Sequence, residues 1–354
     1  MEKFSLNSSN ITDLANVTLS TIKPAPAAPP PLSAFELWAQ LVFFYAIMGG
    51  VTSCLGNIAI AIGIFKSKKL RNRFFIFIGF LTINRIILCT QYFTLGLYRS
   101  LKAVGIIETN LRLSTCYLLH VHIVYGLTLE MVLLLVMVVD RMLAIIAHNY
   151  YRNLSPSQAV YLCFGVYIGV GLFKLLPSFF GIDFGRVIPC VTAYSPLSPL
   201  FTSYTQNIDL ALALFILALY AALICYLRCY KLPLVKKNAN NDAAGQSAML
   251  ALKRQMNLMP LLCRLVLIHC SLALFSKLLL SLAGVVPAAY SQRLVAYGGS
   301  LITVDLFVNV VMLLASNKDL REAALPCKGS RVEPSNTTGI IMSQNTISVA
   351  PKKN

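Results

Sequence analysis

The sequence carries little charge for its length. Asp, Glu, Lys and Arg make up only 12% of its 354 residues, whereas soluble proteins carry roughly 25%. Apolar residues make up 57% and the mean hydropathy is +0.71, so too little polar surface remains to dissolve a globule of this size. Tryptophan occurs once, at Trp38, and the ten cysteines include no Cys-x-x-Cys pair that would support a metal or redox motif. These shortages exclude a soluble globule, a disordered chain and a small disulfide scaffold.

Seven apolar segments are long enough to cross a hydrocarbon core of roughly 30 Å as helices that rise about 1.5 Å per residue. Barrel strands need only about ten residues of alternating polarity, so these lengths favour an all-α membrane protein. The pattern is weakest over 174–204, where charged residues and prolines interrupt it. The predicted spans are 36–64, 74–98, 113–140, 159–181, 205–230, 257–284 and 293–316. The sequence therefore predicts a seven-transmembrane helix bundle over 36–316.

The basic residues divide unevenly between the two sides of this bundle. With the N-terminus outside, 19 of the 30 Lys and Arg residues lie in inner loops and the tail, seven lie outside and four lie within spans. The positive-inside rule therefore predicts an N-terminus outside the cell and a C-terminus inside it. The same distribution accounts for most of the net charge of +17 without a nucleic-acid partner.

The segments that flank the bundle are polar. Residues 1–35 show no apolar core with a cleavage site, so we expect no signal peptide. They contain three glycosylation sequons, at Asn7, Asn10 and Asn16. We predict an extracellular, glycosylated, flexible arm over 1–35, a short amphipathic helix over 317–326 and a disordered cytoplasmic tail over 327–354.

Two of the ten cysteines lie on the outer side of this map. Cys116 begins the third span and Cys190 lies in the second outer loop, while the other eight lie in spans or on the cytosolic side. Disulfides form in the oxidising outer compartment. A bond between these two cysteines would tie the loop over the top of the third helix, and two free thiols are the alternative.

The order and spacing of several short motifs resemble the rhodopsin-like G-protein-coupled receptors. A Gly-Asn pair at 56–57 lies in the first span, and an Asp-Arg-Met triplet at 140–142 closes the third. Cys116 precedes Arg141 by 25 residues, the spacing that this family requires. The run Asn-Val-Val-Met-Leu at 309–313 takes the place of the family's Asn-Pro-x-x-Tyr. Each motif is weak alone, and the resemblance depends on their joint order.

Within that family, the segments 66–71, 151–155 and 189–190 are most similar to the nematode serpentine chemoreceptors of the Srsx kind. The chain also departs from the family pattern. Met142, Val310 and Leu313 replace the usual Tyr, Pro and Tyr, and the sixth span lacks the Cys-Trp-x-Pro switch. The activation switches of the sixth and seventh helices therefore cannot be transferred to this chain.

The resemblance implies a receptor in the plasma membrane, and in a sensory neuron by the nematode likeness. Such a receptor binds an extracellular chemical or peptide and activates a heterotrimeric G protein that docks at Asp140 and Arg141. It contacts membrane lipid and needs no cofactor, metal or catalytic residue. Two alternatives remain open: a transporter or channel, although no internal repeat supports it, and a receptor-like scaffold that has lost signalling.

Three charged residues lie at one depth in the predicted bundle. Arg85, Glu130 and Asp305 are each about 11 residues from the cytoplasmic end of a span, which is roughly 16–18 Å. A charge at that depth costs at least about 2.5 kcal/mol unless it is satisfied, so we expect one buried cluster that also includes Asn57 and Asn309.

The resemblance adds a specific reading of this cluster. Arg85 lies 28 residues after Asn57, where these receptors carry an aspartate that binds sodium. Glu130 and Asp305 fall at or near the positions of other sodium ligands. The resemblance thus implies that the guanidinium replaces the ion with a tethered cation, and a structural salt bridge without a switching role is the alternative.

A ligand is expected to enter the outer half of the bundle. Ile123 occupies the place where amine receptors of this family carry a ligand-binding aspartate, so an amine ligand is disfavoured. Lys174, Lys277 and Asp209 add charges near the rim, where we interpret them first as interfacial side chains that snorkel and second as ligand contacts. The predicted pocket residues are His120, Ile123, Val124, Leu127 and Thr128 on one face of the third span and Lys277 on the sixth.

Overall fold

The computed structural model describes residues 50–103, 106, 110–179, 183, 185–190, 199–233, 243–283, 285–286 and 288–325. The predicted arm with Asn7, Asn10 and Asn16, the first part of the first span and the predicted tail lie outside the described residues. Within the described ranges the chain is almost entirely helical, with one two-stranded sheet.

The helices follow one another along the chain with short connections. They are α1 (Ser53–Lys66), α2 (Arg73–Ala103), α3 (Leu113–Ile146), α4 (His148–Arg152), α5 (Pro156–Ser178), α6 (Pro199–Tyr226), α7 (Ala243–Ala283), α8 (Ala288–Ser316) and α9 (Lys318–Ala324). A 3₁₀ turn at Lys68–Leu70 follows α1, and a π-helical turn at Leu227–Lys231 continues α6. The strands β1 (Asn110–Arg112) and β2 (Val187–Pro189) pair antiparallel.

Each predicted span coincides with a helix, so the prediction of an all-α helix bundle is confirmed. By length and composition, Arg73–Tyr98, Pro156–Ser178, Phe201–Lys231, Leu258–Leu282 and Tyr297–Ser316 can cross a membrane. Two helices extend past the predicted boundaries, since α3 continues to Ile146 and α7 begins at Ala243. Apolar runs mark only the part of a helix that lies in lipid, whereas residues with good helix propensity continue it beyond.

Helix α3 is the central helix of the bundle and contacts α2, α5, α6 and α7. Its side chains Leu129, Leu133, Leu134, Met137 and Val138 are fully buried in the main core. A helix with neighbours on several sides can bury polar residues against partners from other helices instead of exposing them to lipid. Helix α3 carries Glu130, Asp140 and Arg141 in this way.

Helix α5 has the opposite environment. Tyr161, Phe164 and Ile168 are 75%, 54% and 62% exposed, although all are large and apolar. An apolar surface of this kind is costly in water and favourable in hydrocarbon. The start of the helix is fixed by a capping box, in which the backbone N–H of Ser155 donates to the side chain of Gln158, and by Pro156 in the first turn.

Helix α1 is held against α8 and α9 by close backbone approaches. A Cβ atom on Gly56 would lie 2.4 Å from Cγ1 of Val310, so α1 and α8 approach as only glycine permits. A Cβ on Gly63 would lie 3.0 Å from the backbone of Ala323. At the exposed end of this contact, Lys69 Nζ donates to Oδ1 of Asp319 at 2.6 Å, and this hydrogen bond raises the pKa of Lys69.

Candidate functional site

One end of the bundle, here called the disulfide end, is closed by the small sheet. Cys116 at the start of α3 is bonded to Cys190, and both are buried. The sheet places Leu111 opposite Ile188, and the backbone N–H of Leu113 donates to the carbonyl of Arg186 at 2.7 Å. The disulfide expected from the sequence is therefore present, and it ties the segment after α5 to the top of α3.

The opposite end, here called the Asp140 end, holds a group of ionic contacts around one carboxylate. Arg141 Nη2 donates to Oδ2 of Asp140 at 2.5 Å. Nε and Nη2 of Arg73 both donate to Oδ1 at 3.1 Å. All three side chains are 90% or more buried. One aspartate thus holds two guanidinium groups, one on each oxygen.

Two members of this group, Arg73 and Tyr151, were not predicted as site residues. The hydroxyl of Tyr151 donates to Oδ2 of Asp140 at 3.0 Å and accepts a hydrogen bond from Nη2 of Arg141. The Arg141 guanidinium also lies 5.1 Å from the ring centre of Phe74. Burial raises the pKa of Tyr151, so its phenol stays protonated and keeps donating. Arg141 is thereby held at the end of α3 by three different kinds of contact.

The middle of the bundle contains the predicted charge cluster. Nε of Arg85 on α2 donates to Oε1 of Glu130 on α3 at 2.6 Å, and the two side chains are 0% and 1% exposed. Nη2 lies 2.5 Å from the same oxygen, at an angle that gives no hydrogen bond. The structure therefore brings together the two residues that sequence depth had paired.

Asp305 joins this cluster through a residue that the sequence reading missed. Nδ1 of His269 on α7 lies 2.7 Å from Oδ2 of Asp305 on α8 and 3.5 Å from Oε1 of Glu130. His269 therefore bridges the two carboxylates. Its signal in the sequence was a lone titratable side chain within the apolar run of the predicted sixth span.

The two asparagines of the predicted cluster have different roles. Nδ2 of Asn309 donates to Oδ1 of Asp305 at 2.7 Å and to the carbonyl of the same residue, so Asn309 belongs to the cluster. Asn57 is fully buried but donates to the carbonyl of Ser53 in its own helix at 2.8 Å. No ionic contact joins Asn57 to the charged residues in the part of the chain that the structure describes.

A sodium ion, which the resemblance to rhodopsin-like receptors implies, does not fit these residues. Oxygen and nitrogen atoms of Glu130, His269 and Asp305 lie within 4.8 Å of one another, as metal ligands would. The guanidinium of Arg85 already occupies Oε1 of Glu130, and Asn309 occupies Oδ1 of Asp305. A second cation would meet the charge of Arg85 at close range in a medium of low dielectric constant.

A second ionic group lies closer to the disulfide end, around Asp209 on α6. Lys174 Nζ is 3.7 Å from Oδ1, Lys277 Nζ donates to Oδ2 at 3.2 Å, and Thr128 donates to Oδ1 at 2.7 Å. The side chains of Lys174, Lys277 and Asp209 are only 1%, 13% and 3% exposed. Our first interpretation of these three as interfacial residues is therefore wrong, because they face one another inside the bundle.

A cavity lies between the Asp209 group and the Arg85 cluster. Its empty volume is about 400 Å³, a figure that includes space open to solvent. It is lined by Leu127, Met131, Asp209, His269, Leu272, Ala273, Ser276, Lys277, Ile302 and Asp305. Polar groups from three helices thus meet an otherwise apolar wall, which is the usual composition of a small-molecule site.

Only part of the predicted pocket lines this cavity. Leu127 and Lys277 form its wall, and Thr128 orients Asp209. Ile123 instead packs in an apolar cluster between α2 and α8, and Val124 packs against Tyr117 and Phe201. His120 is buried beside the disulfide. The cavity extends toward α7 and α8, so a face of α3 alone was too narrow a prediction.

Comparisons with known proteins agree with this architecture. A family model described as serpentine type 7TM GPCR chemoreceptor Srsx matches residues 50–324. The crystal structure of squid rhodopsin is similar in fold, with a TM-score of 0.65 and 13% sequence identity, over 85% of this chain and 89% of the squid chain. No curated protein gives a significant sequence match. The resemblance inferred from the motifs is confirmed, and neither finding supports a transporter or channel.

Proposed function

The chain belongs to the Srsx family of serpentine G-protein-coupled chemoreceptors, and on that premise we propose which parts of it bind a signal and which transmit it. A small extracellular molecule binds in the cavity beside Asp209. A heterotrimeric G protein binds at the Asp140 end and is activated there. The protein acts as a receptor in the plasma membrane of a sensory cell and catalyses no reaction of its own.

The observation that carries this proposal is that one helix reaches both sites. Helix α3 contributes Leu127 to the cavity wall and Thr128 to the Asp209 group. Thirteen residues later, about 20 Å along the axis, it carries Arg141. Between them lies Glu130, which is bound to Arg85 of α2. A shift of α3 caused by a ligand would therefore act on the Asp140 end directly.

The orientation of the bundle supports the same assignment. The excess of Lys and Arg at the Asp140 end favours a cytoplasmic location for that end, and the Cys116–Cys190 disulfide favours an oxidising compartment at the other. We infer that residues 1–35 form an extracellular arm glycosylated at Asn7, Asn10 and Asn16, and that residues 327–354 form a cytoplasmic tail. A glycosidase-dependent change in electrophoretic mobility that disappears when the three asparagines are replaced by Gln would test the arm.

The resting state is the one in which Arg141 is bound to Asp140 and Tyr151. In the signalling state Arg141 leaves this carboxylate and turns toward the bound G protein. A variant that weakens the resting contact should therefore signal without a ligand. This matters for the experiment, because no ligand has to be known in advance.

The test measures guanine-nucleotide exchange on purified Gα subunits of each class, with the full receptor reconstituted in lipid vesicles. Asp140→Asn should raise ligand-independent exchange severalfold, since the neutral amide binds a guanidinium less strongly than a carboxylate does. Adding Arg141→Ala to Asp140→Asn should return exchange to the level of empty vesicles. Lys318→Ala, an exposed change in α9, is the matched control and should leave exchange unchanged.

Either of two results would contradict the proposal. If no Gα class responds to Asp140→Asn while the variant folds as the wild type does, the chain is a receptor-like scaffold without signalling. If exchange persists after Arg141→Ala, the G protein does not depend on Arg141.

A further inference from the structure

Two lysines share one aspartate in the wall of the cavity. Lys174 of α5 and Lys277 of α7 approach different oxygens of Asp209, at 3.7 and 3.2 Å, and Thr128 donates to one of those oxygens. An aspartate carries a single negative charge. Among the described residues, this group therefore holds one more positive charge than negative charge when both lysines are protonated.

The surplus charge has little compensation where it lies. Lys174 Nζ makes no hydrogen bond in the described part of the chain, and the ring centre of Tyr204 lies 5.7 Å from it. The carboxylates of Glu130 and Asp305 are engaged by Arg85, His269 and Asn309. A buried charge without a counter-charge is costly. An anion entering from outside would reduce that cost.

The cavity shows where such an anion would be bound. Lys277 and Asp209 line it, whereas Lys174 lies on the other oxygen of Asp209 and does not. An ammonium has three hydrogen-bond donors, so Lys277 can bind Asp209 and a ligand together. Because Lys174 also neutralises Asp209, the excess positive charge is presented to the cavity by Lys277.

The rest of the wall defines the body of the ligand. Leu127, Met131, Leu272, Ala273 and Ile302 are apolar and face the same space. We propose that this receptor recognises a small monoanion with an apolar body, such as a monocarboxylate, whose anionic group binds Lys277 under the influence of Lys174. This inference rests on the proposed role of the cavity as the ligand site. A cationic ligand is disfavoured because Asp209, the nearest carboxylate to Lys277, already faces two lysines.

The experiment measures thermal unfolding of the full receptor in lipid nanodiscs at neutral pH. The probes are hexanoate and benzoate, with the neutral amides hexanamide and benzamide and the amine hexylamine as controls. Both carboxylates should raise the melting temperature in a saturable way, and the amides and the amine should not. A ligand that binds the folded state shifts unfolding by mass action, so the concentration dependence gives the affinity.

A charge series then tests the mechanism. Lys277→Met should abolish the shift because it removes the direct contact. Lys174→Met should weaken carboxylate affinity about tenfold although Lys174 does not line the cavity, since the surplus charge is lost. Asp209→Asn should strengthen it, and Lys318→Met in α9 should leave it unchanged. If Asp209→Asn does not fold, the two lysine variants still decide.

Three outcomes would overturn the inference: no saturable shift by either carboxylate, equal shifts by the amides, or wild-type affinity in Lys277→Met. Nucleotide exchange on the same samples separates this inference from the proposed function. A carboxylate that binds without changing exchange supports the anion site and counts against the coupling. Exchange stimulated by hexylamine, with no carboxylate binding, supports the coupling and overturns the anion site.

Discussion

Removing one partner of the Arg85–Glu130 pair should be worse, per charge removed, than removing both. The two side chains are 0% and 1% exposed, and Nε donates to Oε1 at 2.6 Å. The variants are Glu130→Gln, Arg85→Met and the double change. Breaking a buried pair by removing one partner typically costs about 3–5 kcal/mol, because the remaining charge is left uncompensated.

The surroundings place the two single variants at different points in that range. In Glu130→Gln the carboxylate of Asp305 remains near Arg85, so a loss of about 3 kcal/mol is expected. In Arg85→Met two carboxylates remain, and only His269 bridges them, so a loss of about 5 kcal/mol is expected. The double variant leaves the His269–Asp305 pair intact, and we expect a coupling energy of about 2–3 kcal/mol between the two positions.

The assay is reversible unfolding of the purified receptor in mixed detergent micelles, followed by circular dichroism. A second cycle between Glu130→Gln and Arg264→Met is the control, since Arg264 lies on α7 and donates to Ser316 instead. That control cycle should be additive. A coupling energy below about 0.5 kcal/mol between positions 85 and 130 would refute the tethered-cation reasoning, because contacting residues normally exceed that value.

The same pair predicts how the receptor responds to salt. Because Arg85 supplies the cation of the cluster, the melting temperature should be the same in sodium chloride as in potassium chloride. Arg85→Asp combined with Glu130→Ser would recreate the sodium-binding pattern of the related receptors and should acquire a sodium-specific stabilisation. A sodium-specific rise in the wild type would show that an ion binds beside Arg85 and would contradict the assignment.

Three further predictions concern other parts of the bundle. Cys116→Ser should lower cell-surface expression, measured by flow cytometry, because losing a disulfide typically costs about 2–5 kcal/mol in small secreted domains. Gly56→Ala should destabilise the purified receptor by about 1–3 kcal/mol through overpacking, and Val310→Ala should restore its melting temperature; no rescue would place the strain elsewhere. Tyr151→Phe should raise ligand-independent nucleotide exchange by removing a donor to Asp140. Because burial raises the pKa of Tyr151, wild-type exchange should not show a tyrosine titration as pH rises toward about 10.

The helices were predictable because a bilayer imposes a minimum length on every apolar span. Depth was predictable for the same reason, since residues advance by a fixed rise along a helix. Arg85 and Glu130 were paired from depth alone, and the structure joins them. The disulfide between Cys116 and Cys190 was likewise expected from the side of the membrane on which each cysteine lies.

What the sequence could not supply was the rotation of each helix about its axis. Lys174 and Asp209 lie near the rim by depth, so they were taken for interfacial residues, yet rotation turns both toward the interior. His269 was overlooked because its partners lie on α3 and α8. The contact of Tyr151 with Arg141 depends on α4 folding back beneath α3, a tertiary arrangement that no local pattern encodes.

The division of Asp140 between two arginines has a consequence for the energy difference between the quiet and active states. When Arg141 departs from Oδ2, Arg73 still holds Oδ1, so the carboxylate is never left alone in the protein interior. The departure then costs about one charge-assisted hydrogen bond, roughly 1.5–3 kcal/mol, instead of a broken buried pair. A gap of that size keeps on the order of 0.1–10% of molecules in the released form at rest. Arg73 therefore sets how far the receptor is from spontaneous firing.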